Sequence, residues 1–161
     1  MPITVEIEGM SELLAAFKTV EEGMLDFRQL GAWKAVQSEF YKIQKEIFAN
    51  EGNGTQWKAL TPAYAKVKLA KYGERPILQA TGDMYKEFTS DTGNVKMTAQ
   101  EMDITFSQPA GYHMSKESRT KMPYRSSMDF TEEQEKQLMQ PIQDKLKQLI
   151  ANAKLRDLRG F

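Results

Sequence analysis

His113 is the only histidine in the chain, and histidine is the side chain whose ordinary pKa best suits general acid–base catalysis near neutral pH. It directly follows Gly111 and Tyr112. A general base needs a nucleophile to activate, and the sequence offers His113 no matched nucleophile, because isolated serines are too common to count. We therefore interpret His113 as a hydrogen-bonded or interface residue, and we predict no catalytic residue in this chain.

Asp91-Thr92-Gly93 matches the short active-site motif of aspartic proteases, in which two chains can share a pair of carboxylates. In those enzymes the motif follows an apolar strand of an almost all-β fold. Here Phe88-Thr89-Ser90 precedes it, and the surrounding sequence has helical patterns. The context favours a turn that leads into a strand, with a homodimeric protease as the less favoured alternative.

Two groups of cations could contact DNA or an acidic partner. The first group comprises Lys58, Lys66, Lys68 and Lys71, and the second comprises Lys116, Arg119, Lys121 and Arg125. Sequence-specific recognition of nucleic-acid bases would need a recognition helix or a sheet that carries aromatic residues, and the sequence has neither pattern. The first group is therefore predicted to be either a solvated face or a face toward DNA that contacts only its backbone.

The composition limits the classes of function. Lys plus Arg and Asp plus Glu each total 22, so the net charge is near zero, which argues against a general DNA-coating protein. The chain has no cysteine, which excludes disulfides, thiol catalysis and thiolate metal sites. It also has no histidine pair and no EF-hand-type acidic loop, so we expect neither a metal nor another cofactor. No apolar run approaches the roughly 20 residues that cross a bilayer, so we expect no membrane partner.

Periodicity predicts three elements in the first third of the chain. Alternation of apolar and polar residues over 3–7 predicts an N-terminal strand, and Ser11 is predicted to cap a first helix. A second helix is predicted from an apolar stripe at spacings of three and four, which comprises Trp33, Val36, Phe40, Ile43 and Ile47. We expect the stripe to lie in the core, with Trp33 at its end as either a core residue or an interface anchor.

Shorter elements are predicted in the middle of the chain. Thr61 and Pro62 have the residue types of an N-cap and a first helical position, which predicts a helix to about Lys71. Thr81 is predicted to cap another short helix. Alternation within 94–98 and 101–107 then predicts two strands joined by a hairpin near Ala99-Gln100.

The last part of the chain combines a long loop with a helix. Residues 108–129 show no periodicity, and a loop of this length in a compact domain is usually functional or is ordered by a partner. Thr131 and Gln134 form a capping box that opens a C-terminal helix, in which Pro141 predicts a kink near Gln137. The sequence therefore predicts one α+β domain over 1–161, with two long helices, short helices, a small antiparallel sheet and a kinked C-terminal helix.

Ten residues occur in an order that resembles a known family: Trp57, Leu60, Leu78, Thr81, Gly82, Gly111, Tyr112, His113, Pro123 and Arg125. The order is similar to that of the phage virion morphogenesis family, the tail-completion proteins of Mu-like tailed phages. The resemblance covers roughly residues 40–145. It implies a virion structural protein, located in the tail or neck and assembled in the host cytoplasm, that completes the tail or joins it to the head without catalysis.

The resemblance also implies partners. These would be copies of the same chain in a homo-oligomeric ring, for which six copies would suit tail symmetry, together with phage tail and head–tail connector proteins. Genomic DNA would pass through the lumen without sequence-specific binding. The residues predicted for interfaces are Trp33, Tyr112, His113, Lys116, Arg119, Lys121 and Arg125. The alternative is a small oligomeric DNA-binding or regulatory protein, which would show salt-dependent affinity for duplex DNA.

Overall fold

A computed structural model of the chain describes residues 26–107, 112–114 and 123–157. The predicted N-terminal strand and first helix lie outside these residues. Gly111 and three of the predicted interface cations, Lys116, Arg119 and Lys121, lie outside them as well.

The second predicted helix is confirmed as α1, which spans Ala32–Ala49. Its apolar stripe faces inward, with Val36, Phe40, Ile43 and Ile47 all buried. Gly31 precedes the helix in the left-handed region. The strand at residues 52–53 and the helices at residues 83–89 and 132–157 contact α1.

A tight antiparallel hairpin follows α1, and the sequence analysis did not predict it. Strand β1 spans Gly52–Asn53 and pairs with β2, Thr55–Gln56, with Gly52 opposite Gln56. Gly52 has a φ of 154°, and a Cβ added there would lie 2.2 Å from the Thr55 carbonyl oxygen. Only glycine therefore allows the two backbones to approach this closely.

Helix α2 spans Pro62–Tyr72 and confirms the predicted start, since the Thr61 hydroxyl accepts a hydrogen bond from the Tyr64 amide at 3.4 Å. Helix α3 spans Asp83–Thr89 and corrects the predicted cap. Its N-cap is Gly82, which has a left-handed φ of 85°, rather than Thr81. The Thr81 hydroxyl instead accepts from the Asp83 amide at 3.3 Å.

The predicted strand pair is confirmed, although both strands are shorter than expected. Strand β3 spans Val95–Met97 and pairs antiparallel with β4, Met102–Ile104. Asp91-Thr92-Gly93 forms the predicted turn before β3, with Asp91 Oδ1 accepting from the Gly93 amide at 2.8 Å. Its carboxylate therefore stabilises a turn at the protein surface.

Helix α4 spans Glu132–Asp157 and packs against α1. The capping box is confirmed: the Thr131 amide donates to Gln134 Oε1 at 2.9 Å, and the Gln134 amide donates to Thr131 Oγ1 at 3.3 Å. The helix continues past Pro141, and the kink near Gln137 stays a prediction. None of the helices in the described ranges is both long enough and apolar enough to cross a membrane.

The core is aromatic and confirms an α+β fold built around α1. The rings of Phe88 and Phe106 stack with centroids 4.1 Å apart, and Phe48 meets Trp57 edge-on at 5.3 Å. Such pairs add to the stabilisation that burial of the rings provides. Other partly buried residues close the core: Tyr41, Ile77, Leu78, Met84, Tyr85, Ile104, Met114, Phe130 and Leu138.

Gly52→Ala should reduce the free energy of unfolding by about 3 kcal/mol, because the new Cβ would overlap backbone atoms and the hairpin would have to open. Gly54→Ala is the matched control. Gly54 also has a positive φ, of 71°, but an added Cβ would meet nothing within 4 Å. We expect a loss of about 1–2 kcal/mol there, from backbone strain alone. Urea unfolding followed by circular dichroism measures both losses, and equal losses would contradict the close approach.

Candidate interaction surfaces

Residues 123–130, hereafter the crossing segment, have no regular secondary structure, yet part of their backbone is buried. Two side chains from distant parts of the chain supply hydrogen bonds. The Gln44 amide nitrogen donates to the Ser127 carbonyl at 2.8 Å, and Trp57 Nε1 donates to the Ser126 carbonyl at 3.0 Å. Because an unpaired buried carbonyl is costly, these donors make the position of the segment on α1 possible.

Arg125, in the crossing segment, corrects an interface prediction. It is 4% exposed, and its Nε donates to the Lys58 carbonyl at 2.8 Å while a terminal nitrogen reaches the Ala59 carbonyl at 3.4 Å. Burial lowers its pKa from the ordinary arginine value. Residue type alone suggested a surface cation, but the guanidinium instead fastens residues 58 and 59 to the crossing segment.

Asn53 and Gln134 join three elements. The Asn53 amide nitrogen donates to the Asp129 carbonyl at 2.7 Å, and Gln134 Nε2 donates to Asn53 Oδ1 at 2.9 Å. The β1–β2 hairpin, the end of the crossing segment and the first turn of α4 are thereby held together. Sequence reasoning assigned Gln134 to the capping box alone and missed its contact with Asn53.

His113 lies in a helical turn at residues 112–114 and is half-buried, as is Tyr112. Its Nδ1 lies 3.3 Å from the Pro123 carbonyl, and its own carbonyl accepts from the Arg125 amide at 2.9 Å. Burial lowers the pKa of His113, the Pro123 hydrogen bond raises it, and nearby Arg125 lowers it further. The hydrogen bond predicted for His113 is present, and whether the exposed parts of Tyr112 and His113 contact a partner stays a prediction.

Trp33 also makes contacts within the chain. Its indole Nε1 donates to the Thr98 carbonyl at 3.0 Å, and its ring lies 5.3 Å from that of Phe27. The residue is half-buried at the N-terminal end of α1. One edge is therefore fixed against the β3–β4 turn, and whether the exposed part contacts a partner stays a prediction.

Lys68 corrects the predicted DNA-facing group. It is 5% exposed, and its Nζ donates to the carbonyls of Arg75 at 2.7 Å and Pro76 at 2.5 Å. Burial is the main cause of its lowered pKa. Lys58, Lys66 and Lys71 are exposed, so three of the four predicted lysines remain on a surface around α2.

Helix α2 also exposes three large apolar side chains that sequence reasoning did not single out. Tyr64 is 51% exposed, Val67 60% and Leu69 59%. Apolar residues are spread around this helix instead of forming one stripe, and that spread was a signal that one element could not bury them all. Tyr64 and Val67 are three positions apart and share one side of the helix, and exposed large apolar residues that lie close together indicate a binding surface.

The start of α4 carries the opposite charge. Glu132, Glu133 and Glu135 are exposed in its first turn, where carboxylates favour the helix dipole. Met139 is 50% exposed one turn further on, and Met128 is exposed just before the helix. The described part of the chain therefore has one basic apolar surface on α2 and one acidic apolar surface on α4.

Neither the cavities nor a comparison with known proteins adds a site to these surfaces. A polar depression of about 250 Å³ lies between α1 and the β1–β2 hairpin and is lined partly by Glu46, Asn50 and Asn53. Within the described ranges, no three histidine, aspartate or glutamate side chains lie together as metal ligands. Comparison with known proteins found no family model, no curated protein and no solved structure that matches the chain.

Trp57→Phe keeps an aromatic ring in the core but removes the donor to the Ser126 carbonyl. We expect the free energy of unfolding to fall by about 2–3 kcal/mol, from the lost hydrogen bond and the smaller ring. Trp33→Phe is the matched control, because its acceptor, the Thr98 carbonyl, lies in an exposed turn where water can replace the indole. That loss should stay below about 1 kcal/mol. Equal losses in urea unfolding would contradict the role of Trp57.

The lowered pKa of His113 predicts a stability that depends on pH. The folded chain binds the histidine proton less tightly than the unfolded chain does. The free energy of unfolding should therefore decrease as the pH falls below about 6.5 and through the lower folded-state pKa. His113→Asn should remove this part of the decrease. Urea unfolding of both proteins at about pH 7.5 and 5.5 measures it, and identical pH dependence in the two proteins would contradict the prediction.

Proposed function

We propose that this chain is a structural protein of a tailed-phage virion, which completes the tail or joins it to the head as a component of an oligomeric ring. Its work would be assembly through surfaces, without catalysis. The proposal rests on the order of motifs between residues 57 and 125 and on what those motif residues do in the fold.

The observation that carries the proposal is the convergence of motif residues that are far apart in sequence. Trp57 donates to the Ser126 carbonyl, and Arg125 donates to the Lys58 carbonyl. Leu78, from a third motif, packs against the same core and adopts a positive φ of 61°, which is unusual for a leucine. The motifs thus form one framework, as residues shared through a family for structural reasons would.

The charge distribution supports a role in which contacts are weak and balanced. Lys58, Lys66 and Lys71 are exposed, whereas Lys68 and Arg125 bind carbonyls within the chain. A ring whose lumen passes DNA needs the duplex to slide, and a strongly cationic lining would hold it. Lysines in a chain whose net charge is near zero suit that requirement better than a strongly cationic chain would.

The same three lysines are the observation in favour of the alternative, a small DNA-binding or regulatory protein. If all three neutralised phosphates, the logarithm of the duplex affinity would fall with the logarithm of salt with a slope of about −2.7. A slope of that size, together with measurable binding of duplex DNA at physiological salt, would favour the alternative.

Interruption of this gene in a phage that carries it tests the proposal. We expect electron microscopy of the lysate to show filled heads beside unattached tails, or tails of abnormal length. Complementation with the intact gene should restore infectious particles, and it serves as the control. Normal infectious particles without the protein would contradict the virion role and would favour the DNA-binding alternative.

A further inference from the structure

One side of helix α2 exposes two large apolar side chains. Tyr64, Val67 and Lys71 lie at spacings of three and seven, which places them on one side of the helix. Tyr64 and Val67 are more than half exposed. These three residues are hereafter the basic face. Two apolar side chains and one cation would be complementary to a partner surface that has apolar side chains and negative charge.

The start of α4 has a face of matching chemistry. Glu132, Glu135 and Met139 also lie at spacings of three and seven, and all three are exposed. They are hereafter the acidic face. Lys136 is a cation beside them, outnumbered by the glutamates of the first turn. Met139 supplies the exposed apolar contact.

We propose that the basic face of α2 docks antiparallel on the acidic face of α4 in a second copy of this chain. In that orientation the equal spacings set Tyr64 opposite Met139 and Lys71 opposite Glu132. A thioether against an aromatic ring and an ammonium against a carboxylate are both favourable contacts. A parallel arrangement would instead set Tyr64 against Glu132 and leave Lys71 against Met139.

The helix dipoles favour the same orientation. Antiparallel packing brings the C-terminal end of α2, with its partial negative charge, beside the N-terminal end of α4, with its partial positive charge. Lys71 lies in the last turn of α2 and the glutamates lie in the first turn of α4. Each side chain therefore complements both its own helix end and the opposite face.

This contact joins two different surfaces, so the copy at each end of an open assembly still presents one free face. A heterologous contact of this kind continues into a ring if the rotation closes and into a filament if it does not. This contact specifies how two copies of the chain would meet in the proposed function, and the expectation that the product is a ring rests on that function. The contact itself can be measured with the pure protein, so its failure and the failure of the virion role are distinguishable.

The experiment blocks each face separately and then mixes the two blocked proteins. The double change Tyr64→Ser with Val67→Ser removes the apolar contacts of the basic face without adding a charge, and the double change Glu135→Lys with Met139→Lys puts two cations in the acidic face. Ser38→Lys, at an exposed position of α1, is the control for an added charge. Analytical ultracentrifugation should show concentration-dependent oligomers for the intact chain and the control, and monomers for each blocked protein.

The mixture of the two blocked proteins distinguishes a contact between two different faces from a contact between two identical faces. One blocked protein keeps its acidic face and the other keeps its basic face, so the mixture should form a dimer and nothing larger. An intact chain that stays monomeric up to its solubility limit would overturn the proposal and point to a different protein as the occupant. Blocked proteins that still assemble, or a mixture that stays monomeric, would overturn it too.

Because the natural chain has no cysteine, crosslinking provides a readout of orientation. Lys71→Cys and Glu132→Cys, mixed under mild oxidation, should give a disulfide between the two different proteins. Lys71→Cys mixed with Met139→Cys is the matched control for the parallel arrangement. A stronger crosslink in that control would overturn the antiparallel orientation.

Discussion

A stretch of irregular backbone lies buried against the long helix without forming a strand, and two of its buried carbonyls depend on side chains for hydrogen bonds. Gln44 and Trp57 supply donors to two carbonyls of the crossing segment, and Arg125 returns donors from the segment to residues 58 and 59. Buried backbone groups without partners would destabilise the fold by amounts comparable to its total stability. The positions of the first hairpin, the start of α2 and the start of α4 all follow from this junction.

Elements with a local pattern could be predicted from the sequence, because the pattern and the structure have the same period. The stripe of α1, the Thr61 cap and the Thr131–Gln134 capping box depend on residues within a few positions of one another. The crossing segment has no such pattern. The hydrogen bonds of Gln44, Trp57 and Arg125 join residues more than 60 positions apart, so the sequence predicted only a loop that is functional or ordered by a partner.

The two wrong assignments of cations have one physical cause. Lys68 and Arg125 were predicted to be surface cations because of their residue type and charged neighbours. Both instead donate hydrogen bonds to backbone carbonyls inside the chain. Every residue has a backbone carbonyl, so the sequence does not indicate which carbonyls accept a hydrogen bond from a lysine or arginine. Because these two cations are buried, the most distinctive surface feature of α2 is its exposed apolar residues. Arg125 holds residues 58 and 59, which precede α2, and Gln134 holds the first turn of α4 at the same junction.

Amide hydrogen exchange of the native protein tests the junction most directly. The amide of Trp57 donates to the Glu51 carbonyl, and that of Arg125 donates to the His113 carbonyl. If the crossing segment is part of the core, both amides should exchange as slowly as that of Ile43 in α1, because all three would exchange only on global unfolding. Fast exchange at Trp57 and Arg125 beside a protected Ile43 would show that the segment detaches on its own, and would contradict the account.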